Sequence, residues 1–134
     1  MGKFENTLIC DVVYIDRMSN KAVLAGVYSG GVTLNEVPAI FRASIYSEYY
    51  PDVSGDLDLE FRVFVNGAHA GGAKMQIAGA VAGDVSVLVV PSFPIALSAP
   101  GTVVIKAFEP GKRSATILTK KVALTLPSAS PPPS

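Results

Sequence analysis

Reactive side chains are scarce in this chain. Its 134 residues include one cysteine, Cys10, one histidine, His69, and no tryptophan. A single cysteine excludes an internal disulfide bond and any metal site built from several thiolates. The histidine has no acid close to it in the sequence, so no catalytic dyad or triad is recognisable. We therefore predict that the chain is not an enzyme, that it has no catalytic residues, and that it uses neither a cofactor nor a metal ion.

Charged residues are also few. They make up 16% of the chain, against 49% hydrophobic residues, and the mean hydropathy is +0.40. Ordinary soluble domains carry about a quarter charged residues, so the shortfall indicates either a surface rich in small side chains or a surface covered by other subunits. Eleven basic residues balance eleven acidic ones. A neutral chain has no net field to attract a polyanion, and we do not expect nucleic acid as a partner.

Long apolar runs are missing as well. No uninterrupted apolar segment approaches the roughly 20 residues that a bilayer-spanning helix needs. The N-terminus also lacks a basic segment followed by an apolar core and a cleavage site. We expect synthesis in the cytoplasm without a signal peptide, and no membrane as a partner.

Short apolar stretches broken by Gly, Asn, Asp and Pro occupy the chain from Leu8 to Leu126. The clearest is Leu57–Val65, where apolar and polar residues alternate with the period of two of a half-buried antiparallel strand. Asn66-Gly67 follows it and is a strong two-residue hairpin signal, so this strand should pair with the segment from Ala68 towards Ile77. Eight or nine strands of this kind predict a single-domain, all-β antiparallel β-sandwich of the Ig-like or Greek-key type, without a confident helix.

Three regions follow from the composition along the chain. Residues 1–7 form an N-terminal lead-in, residues 8–126 the β-sandwich domain, and residues 127–134 a Pro/Ser-rich tail that cannot join a sheet. Within the domain, the pattern predicts a third main strand over Ile40–Tyr46, with Ala43 and Ile45 among its inward residues. Cys10 should be a small buried side chain, and the segment 91–94 should cross at a sheet edge because two prolines interrupt it.

Two further sets of residues in the chain have both a structural and a functional interpretation. Asp56, Asp58 and Glu60 share one side of a strand and could line a calcium site, but the regular alternation favours a plain solvent-facing side. Tyr46, Tyr49 and Tyr50 could anchor a protein interface or could simply cap the core. The tail prolines are further interface candidates (Pro131, Pro132, Pro133).

The N-terminal hairpin carries a family resemblance. Residues 8–11 read Leu-Ile-Cys-Asp, and residues 21–28 read Lys-Ala-Val-Leu-Ala-Gly-Val-Tyr. This resembles a family of small bacterial and phage proteins of unknown function that open with an apolar-Cys-Asp segment, a turn and a Lys-x-x-Leu-x-Gly-apolar-Tyr return. The downstream layout is also similar and includes a closing turn at Pro100-Gly101, so the resemblance spans most of residues 8–125, although its specific part is only about twenty residues. The chain departs from the pattern at Val12, where members often carry a second Asp. The resemblance implies a β-sandwich without an assigned activity and supplies no catalytic residues.

Two functions remain open on these grounds. The first is a non-catalytic structural or interaction sandwich in a protein assembly, either a homo-oligomer or a complex with protein partners. A phage virion is the assembly that the family analogy suggests, with the chain as a capsid decoration or tail-associated component. The second is a soluble bacterial ligand-binding or regulatory module that uses the loops at one end of the sandwich, near residues 49–56 and 79–84.

Overall fold

The computed structural model describes residues 2–19 and 21–124, and the regular elements in this part of the chain are nine β-strands. The strands are β1 (Lys3–Ile15), β2 (Ala22–Val27), β3 (Val32–Leu34), β4 (Ala39–Tyr50), β5 (Gly55–Val65), β6 (Ala68–Ala80), β7 (Ser86–Leu97), β8 (Gly101–Phe108) and β9 (Ala115–Leu124). The all-β prediction is confirmed.

The strands form two sheets that pack face to face. Sheet A has the order β2-β1-β4-β7, and sheet B has the order β3-β9-β8-β5-β6. All neighbouring strands are antiparallel except β3 and β9, which run parallel. The two-layer arrangement confirms the prediction of a β-sandwich.

The hairpin of β5 and β6 forms where the sequence predicts it. Val65 pairs with Ala68, and Asn66 and Gly67 both have positive φ angles, 50° and 83°. A two-residue turn that matches the twist of its strands needs this backbone conformation at both positions, which Asn and Gly adopt most easily. The Asn66 side chain also accepts a hydrogen bond from the backbone N–H of Thr102 at 2.9 Å, which ties the turn to the start of β8.

The core lies between the two sheets and is built from alternate residues of each strand. On β5, Leu57, Leu59, Phe61 and Val63 are all buried. Sheet A and the remaining strands of sheet B contribute the other buried apolar side chains in the same alternating manner. Together they form one continuous cluster. The largest of the fully buried side chains are Tyr49, Phe61, Ile9, Ile45, Leu59, Ile95, Leu97 and Ile105.

Two strand boundaries at one end of sheet A differ from the predicted ones, the start of β1 and the end of β4. β1 begins at Lys3, so most of the predicted lead-in belongs to the sheet, where Phe4 packs against Tyr49 with ring centroids 4.5 Å apart. β4 continues to Tyr50 instead of ending at Tyr46. Both extensions have one cause: Lys3 and Phe4 pair with Tyr50 and Tyr49, and this pairing between distant segments leaves no local signal in the sequence.

Two other details also depart from the sequence pattern. β7 is a continuous strand that includes Pro91 and Pro94. It lies at an edge of sheet A, as predicted, but the segment 91–94 stays within the strand instead of crossing out of it. An irregularity with a positive φ at Ser92 accommodates the prolines. In the closing strand, alternation predicts that Val122 and Leu124 both face inward; Val122 is buried, but Leu124 is 36% exposed. Leu126 and the tail prolines Pro131, Pro132 and Pro133 lie outside the described residues.

Candidate functional site

The outer side of sheet A carries a group of exposed apolar side chains. Val23 lies opposite Tyr14 across β2 and β1, and Val27 lies opposite Cys10. Directly paired residues project from the same side of a sheet, and alternation adds Val12 on β1. Tyr14 is 59% exposed and Val23 is 52% exposed. We refer to the exposed large apolar residues of this side as the sheet A face (Val12, Tyr14, Val23, Val27, Ile40 and Val87).

The sheet A face ends at an open strand edge. β2 is the outermost strand on this side of sheet A, and its sequence, AVLAGV, contains neither a charge nor a proline. Natural sheets usually protect such edges with charges, prolines, bulges or very short strands. β7 at the opposite edge has Pro91 and Pro94, and β3 in sheet B is only three residues long. By these criteria β2 is poorly protected against pairing with another chain.

The three candidate tyrosines do not form one cluster, because successive residues of a strand point to opposite faces. Tyr46 is on the outer side of sheet A and is 7% exposed, and Tyr50 shares that side and is half-buried. Tyr49 points inward and is fully buried, and its hydroxyl accepts a hydrogen bond from the Gly2 N–H at 3.0 Å. No partner at the surface can reach the Tyr49 ring, so Tyr49 matches the alternative interpretation, a residue that closes the core.

Tyr46 lies in a short hydrogen-bonded chain on the outer side of sheet A. Its hydroxyl donates to Oε2 of Glu48 at 2.7 Å, and the Asn6 side-chain amide donates to Oε1 of the same carboxylate at 2.7 Å. Burial, followed by the bond to Glu48, raises the pKa of Tyr46 to about 12. The same hydroxyl, followed by the Asn6 amide, lowers the pKa of Glu48. This part of the sheet is therefore drier than its outward position suggests.

Cys10 is buried, as predicted, and lies on the same side of sheet A as Tyr46. Its thiol is directed at the carbonyl oxygens of Val12 and Ser44, at 3.4 and 3.8 Å. Burial, followed by the nearby Asp11 carboxylate, raises the pKa of the thiol. A reactive cysteine needs an exposed and electropositive environment that lowers its pKa. The surroundings of Cys10 have the opposite effect and favour an inert thiol.

The outer side of sheet B has a different character. A groove of about 700 Å³ runs along β5 and β6 and is walled by the chain that follows β8. We call it the sheet B groove. Its lining residues include three carboxylates, three cations, an amide and an aromatic ring (Asp58, Glu60, Glu109, Arg62, Lys74, Lys112, Gln76 and Phe108). The wall turns at Gly111, where φ is 76°, and a backbone hydrogen bond from Lys112 to Glu109 closes the turn.

An ordered ion pair lies in the groove. Nε of Arg62 donates to Oε1 of Glu60 at 2.9 Å, and a second guanidinium nitrogen lies 3.3 Å from Oε2. The guanidinium carbon is 4.1 Å from the centre of the Phe108 ring, within the range of a cation–π contact. The hydrogen bonds from Arg62 lower the pKa of Glu60, and the bond to Glu60 raises the pKa of Arg62. A Cβ at Gly72, opposite Arg62, would lie 2.9 Å from the Phe61 carbonyl oxygen, so the close approach of β6 to β5 at this point favours glycine.

The acidic residues considered as an ion site have different environments. Asp56 accepts a hydrogen bond from the Gly79 N–H at 2.8 Å and stabilises the end of the β5–β6 hairpin. Asp58 and Glu60 line the sheet B groove. Across residues 2–19 and 21–124, no group of three or more His, Cys, Asp or Glu side chains is positioned to hold a metal ion. The same residues contain no helix long and apolar enough to cross a membrane.

Sequence reasoning missed most of the groove. Lys74 and Phe108 lie on either side of Glu60, on β6 and β8, and neither was singled out from the sequence. The alternation on β5 did place Asp58, Glu60 and Arg62 on one outward side. The loops named for a ligand pocket, near residues 49–56 and 79–84, do not line the groove.

Comparison with known proteins adds little. No family model matches the chain, and no curated protein matches it. The CARDB domain of a Pyrococcus furiosus protein, solved in complex with di-metal ions, is 13% identical over 91% of this chain and 96% of that one, with a TM-score of 0.42. A β-glucosidase from Listeria innocua is 10% identical over 91% of this chain, with a TM-score of 0.42, and one from Erythrobacter marinus is 12% identical over 91%, with a TM-score of 0.43. The chain spans only 16% and 15% of these two enzymes. At TM-scores below 0.5 these similarities carry no argument about fold type, substrate or metal.

Proposed function

We propose that this chain is a non-catalytic β-sandwich that acts as a subunit of a protein assembly and uses the sheet A face as its contact surface. The observation that carries this proposal is the exposure of large apolar side chains on one sheet, next to an uncharged edge strand. Contiguous exposed apolar surface is typical of protein contact sites. Half of the exposed large apolar residues in the described chain belong to this one face.

The partner that we propose for the β2 edge is a second copy of the chain. Two β2 strands pairing antiparallel about a two-fold axis would place identical segments side by side. Because β2 has no charged residue, this pairing opposes no like charges within the strand. It would continue sheet A into the partner and satisfy the free backbone groups of both edges.

Strand order supports the Ig-like type of sandwich as part of the same proposal. The run β9-β8-β5-β6 has the order of the G-F-C-C′ sheet of variable-type Ig domains, and the neighbours β4 and β7 correspond to strands B and E. Ig-like sandwiches are used widely as interaction scaffolds, which is an argument by analogy at the level of the fold.

Light scattering coupled to size-exclusion chromatography tests the contact surface. The unmodified chain should elute as a dimer or larger species, and Val23→Glu should yield a folded monomer because a buried charge has no partner at the interface. Thr119→Glu is the matched control, since Thr119 lies opposite Val104 on the exposed outer side of sheet B. A chain that is monomeric at high concentration and captures no protein through this face would contradict the proposal.

The phage virion is the assembly that we propose from the family resemblance, with synthesis in the host cytoplasm and incorporation as a capsid decoration or tail-associated component. Genes for capsid or tail proteins are then expected beside the gene for this chain. Neighbouring genes that encode only host metabolic or regulatory proteins would contradict the virion and leave the contact surface to be tested on its own.

A second candidate function is a ligand-binding or regulatory module. The sheet B groove favours it, because a groove of about 700 Å³ falls within the roughly 300–1,000 Å³ typical of small-molecule sites. The ligand would then lie against β5 and β6 instead of in the loops at one end of the sandwich.

A further inference from the structure

We propose that the sheet B groove binds a short neutral saccharide. This role rests on the second candidate function and is independent of the contact surface on sheet A. Four properties of the groove identify the ligand class: its charge balance, its prearranged ion pair, the polar side chains that remain free to bind, and its apolar wall.

The charges that line the groove cancel. Asp58, Glu60 and Glu109 contribute three negative charges, and Arg62, Lys74 and Lys112 contribute three positive charges. A site for an anion such as phosphate concentrates charge of one sign. A groove in which the two signs alternate offers no such field. The balance favours a ligand without net charge that can form hydrogen bonds with both kinds of group.

The centre of the groove is already ordered. Arg62 is held by two hydrogen-bond contacts to Glu60 and by the Phe108 ring, as described above. The backbone hydrogen bond from Lys112 to Glu109, at 3.0 Å, orders the turn of the far wall. A site whose polar groups are fixed before the ligand arrives loses less conformational entropy on binding.

Three polar side chains in the groove remain available. Asp58 and Gln76 lie directly opposite each other on β5 and β6, and Lys74 is two residues from Gln76 on the same outward side. No hydrogen bond within the described residues uses these three side chains. Together they offer a carboxylate that accepts, an ammonium that donates and an amide that does both. Neighbouring hydroxyl groups of a sugar each donate and accept, and they match this set.

The wall of the groove supplies the apolar contact that a sugar also needs. Phe108 and Pro110 line the side opposite Gln76. The C–H side of a sugar ring can pack on such a surface while its hydroxyl groups face the polar side chains. A fully apolar ligand would leave Asp58 and Gln76 desolvated without partners, at a cost in binding.

Backbone amide chemical shifts of ¹⁵N-labelled protein provide the test. The probes are maltotriose, cellotriose, xylotriose and chitotriose, each titrated separately, with inorganic phosphate as the charged comparison. At least one saccharide should shift the amides of residues 58–62, 74–76 and 108–112 in a saturable manner, while phosphate should not. Asp58→Ala and Gln76→Ala should each weaken binding by about tenfold, since each removes hydrogen bonds to the ligand.

Asp84→Ala is the matched control, because Asp84 is an exposed carboxylate that does not line the groove. It should leave binding unchanged. Four outcomes would each overturn the assignment. These are shifts caused by phosphate alone, saccharide shifts that fall outside the groove, unchanged saccharide binding by Asp58→Ala, and no response to any of the four sugars. Groove variants should leave the oligomeric state unaltered, and Val23→Glu should leave saccharide binding unaltered, so the failure of one proposal does not decide the other.

Discussion

The outer sides of the two sheets differ more than any other pair of surfaces in the molecule. The sheet A face exposes Tyr14, Val23 and Ile40, whereas the outer side of sheet B carries Glu60, Arg62 and Lys74 around a groove. Both sides have the same backbone geometry and enclose one core. The difference therefore comes from the outward residues of each strand, which the fold itself leaves free to vary.

This contrast explains a composition that is low in charge and neutral overall. The few charged residues are concentrated in places, and the sheet B groove alone contains six of them. On the outer side of sheet A, most of the exposed large apolar side chains lie on β1 and β2, away from the polar residues around Glu48. An average over the chain hides both features. The proposed functions divide in the same way, with protein contact on sheet A and a polar ligand on sheet B.

The largest expected effect separates the two sides of one strand. Phe61 and Phe64 are both on β5, but Phe61 is 1% exposed in the core and Phe64 lies on the outer side against His69. Phe61→Ala should lower the free energy of unfolding by about 3–5 kcal/mol because it leaves a cavity. Phe64→Ala should cost about 1 kcal/mol. Urea denaturation measures both values, and equal losses would show that β5 does not have one buried and one solvent-facing side.

A second prediction tests how dry sheet A is around Tyr46. Because its pKa is raised from 10.0 to about 12, the folded state holds this proton more tightly than the unfolded state. The resulting stabilisation of the folded state is about 2–3 kcal/mol. It is complete below pH 10 and disappears as the pH rises through about 12. Tyr46→Phe should remove it. The measured quantity is the difference in unfolding free energy between the two proteins across this pH range, and a difference that does not change with pH would mean that Tyr46 is well solvated.

A third prediction concerns the edge strand of sheet A. Gly26 has a φ of 69°, and a Cβ at this position would collide with the Asp11 carboxylate. Gly26→Ala should therefore reduce stability by about 1–2 kcal/mol through backbone strain, with a further loss from the collision. Introducing the same change into Asp11→Ala should recover only the part of the collision that comes from the carboxylate, because alanine keeps the Asp11 Cβ, 2.9 Å from the added Cβ. Thermal unfolding of the unmodified protein, the two single variants and the double variant completes the cycle. If Gly26→Ala cost no stability in the Asp11→Ala background, the whole cost would come from the Asp11 carboxylate and none from backbone strain.

The smallest expected effect belongs to the ion pair of sheet B. Glu60 and Arg62 are partly exposed, with side chains 25% and 40% accessible, so solvent and salt screen their attraction. Glu60→Gln should lower the Tm slightly, by less than Gly26→Ala, and high salt should remove the difference. Because the pKa of Glu60 is lowered, its stabilising effect is present above its usual pKa of 4.5 and is lost as the pH falls. A large loss that salt does not change would indicate a structural role instead.

Local patterns predicted the parts of this fold that depend on neighbouring residues. Alternation identified the two sides of β5, and Asn66-Gly67 identified its hairpin, because side-chain direction and turn conformation are decided within a few residues. The start of β1 and the inward direction of Tyr49 could not be found in this way. Both depend on pairing between segments more than forty residues apart, Lys3 with Tyr50 and Phe4 with Tyr49.

The groove shows the same limit. A hairpin counted back from Asn66-Gly67 without interruption would pair Glu60 with Ala73 and turn Lys74 towards the core. The structure has a register shift between Val63 and Phe64, which places Lys74 beside Glu60 on the outer side. A shift of one residue reverses the face of every side chain beyond it, so this irregularity decides which charges meet in the groove.

By itself, the sequence determined that the chain forms strands, where its clearest hairpin turns, and which residues of β5 are buried. These features follow from the twofold alternation of side chains and from the backbone preferences of Asn and Gly. Only the tertiary structure decided that the apolar outward residues of β1 and β2 share one face and that Phe108 meets Arg62. The reason is that strand order and register depend on the packing of the two sheets as a whole, and no short segment contains that information.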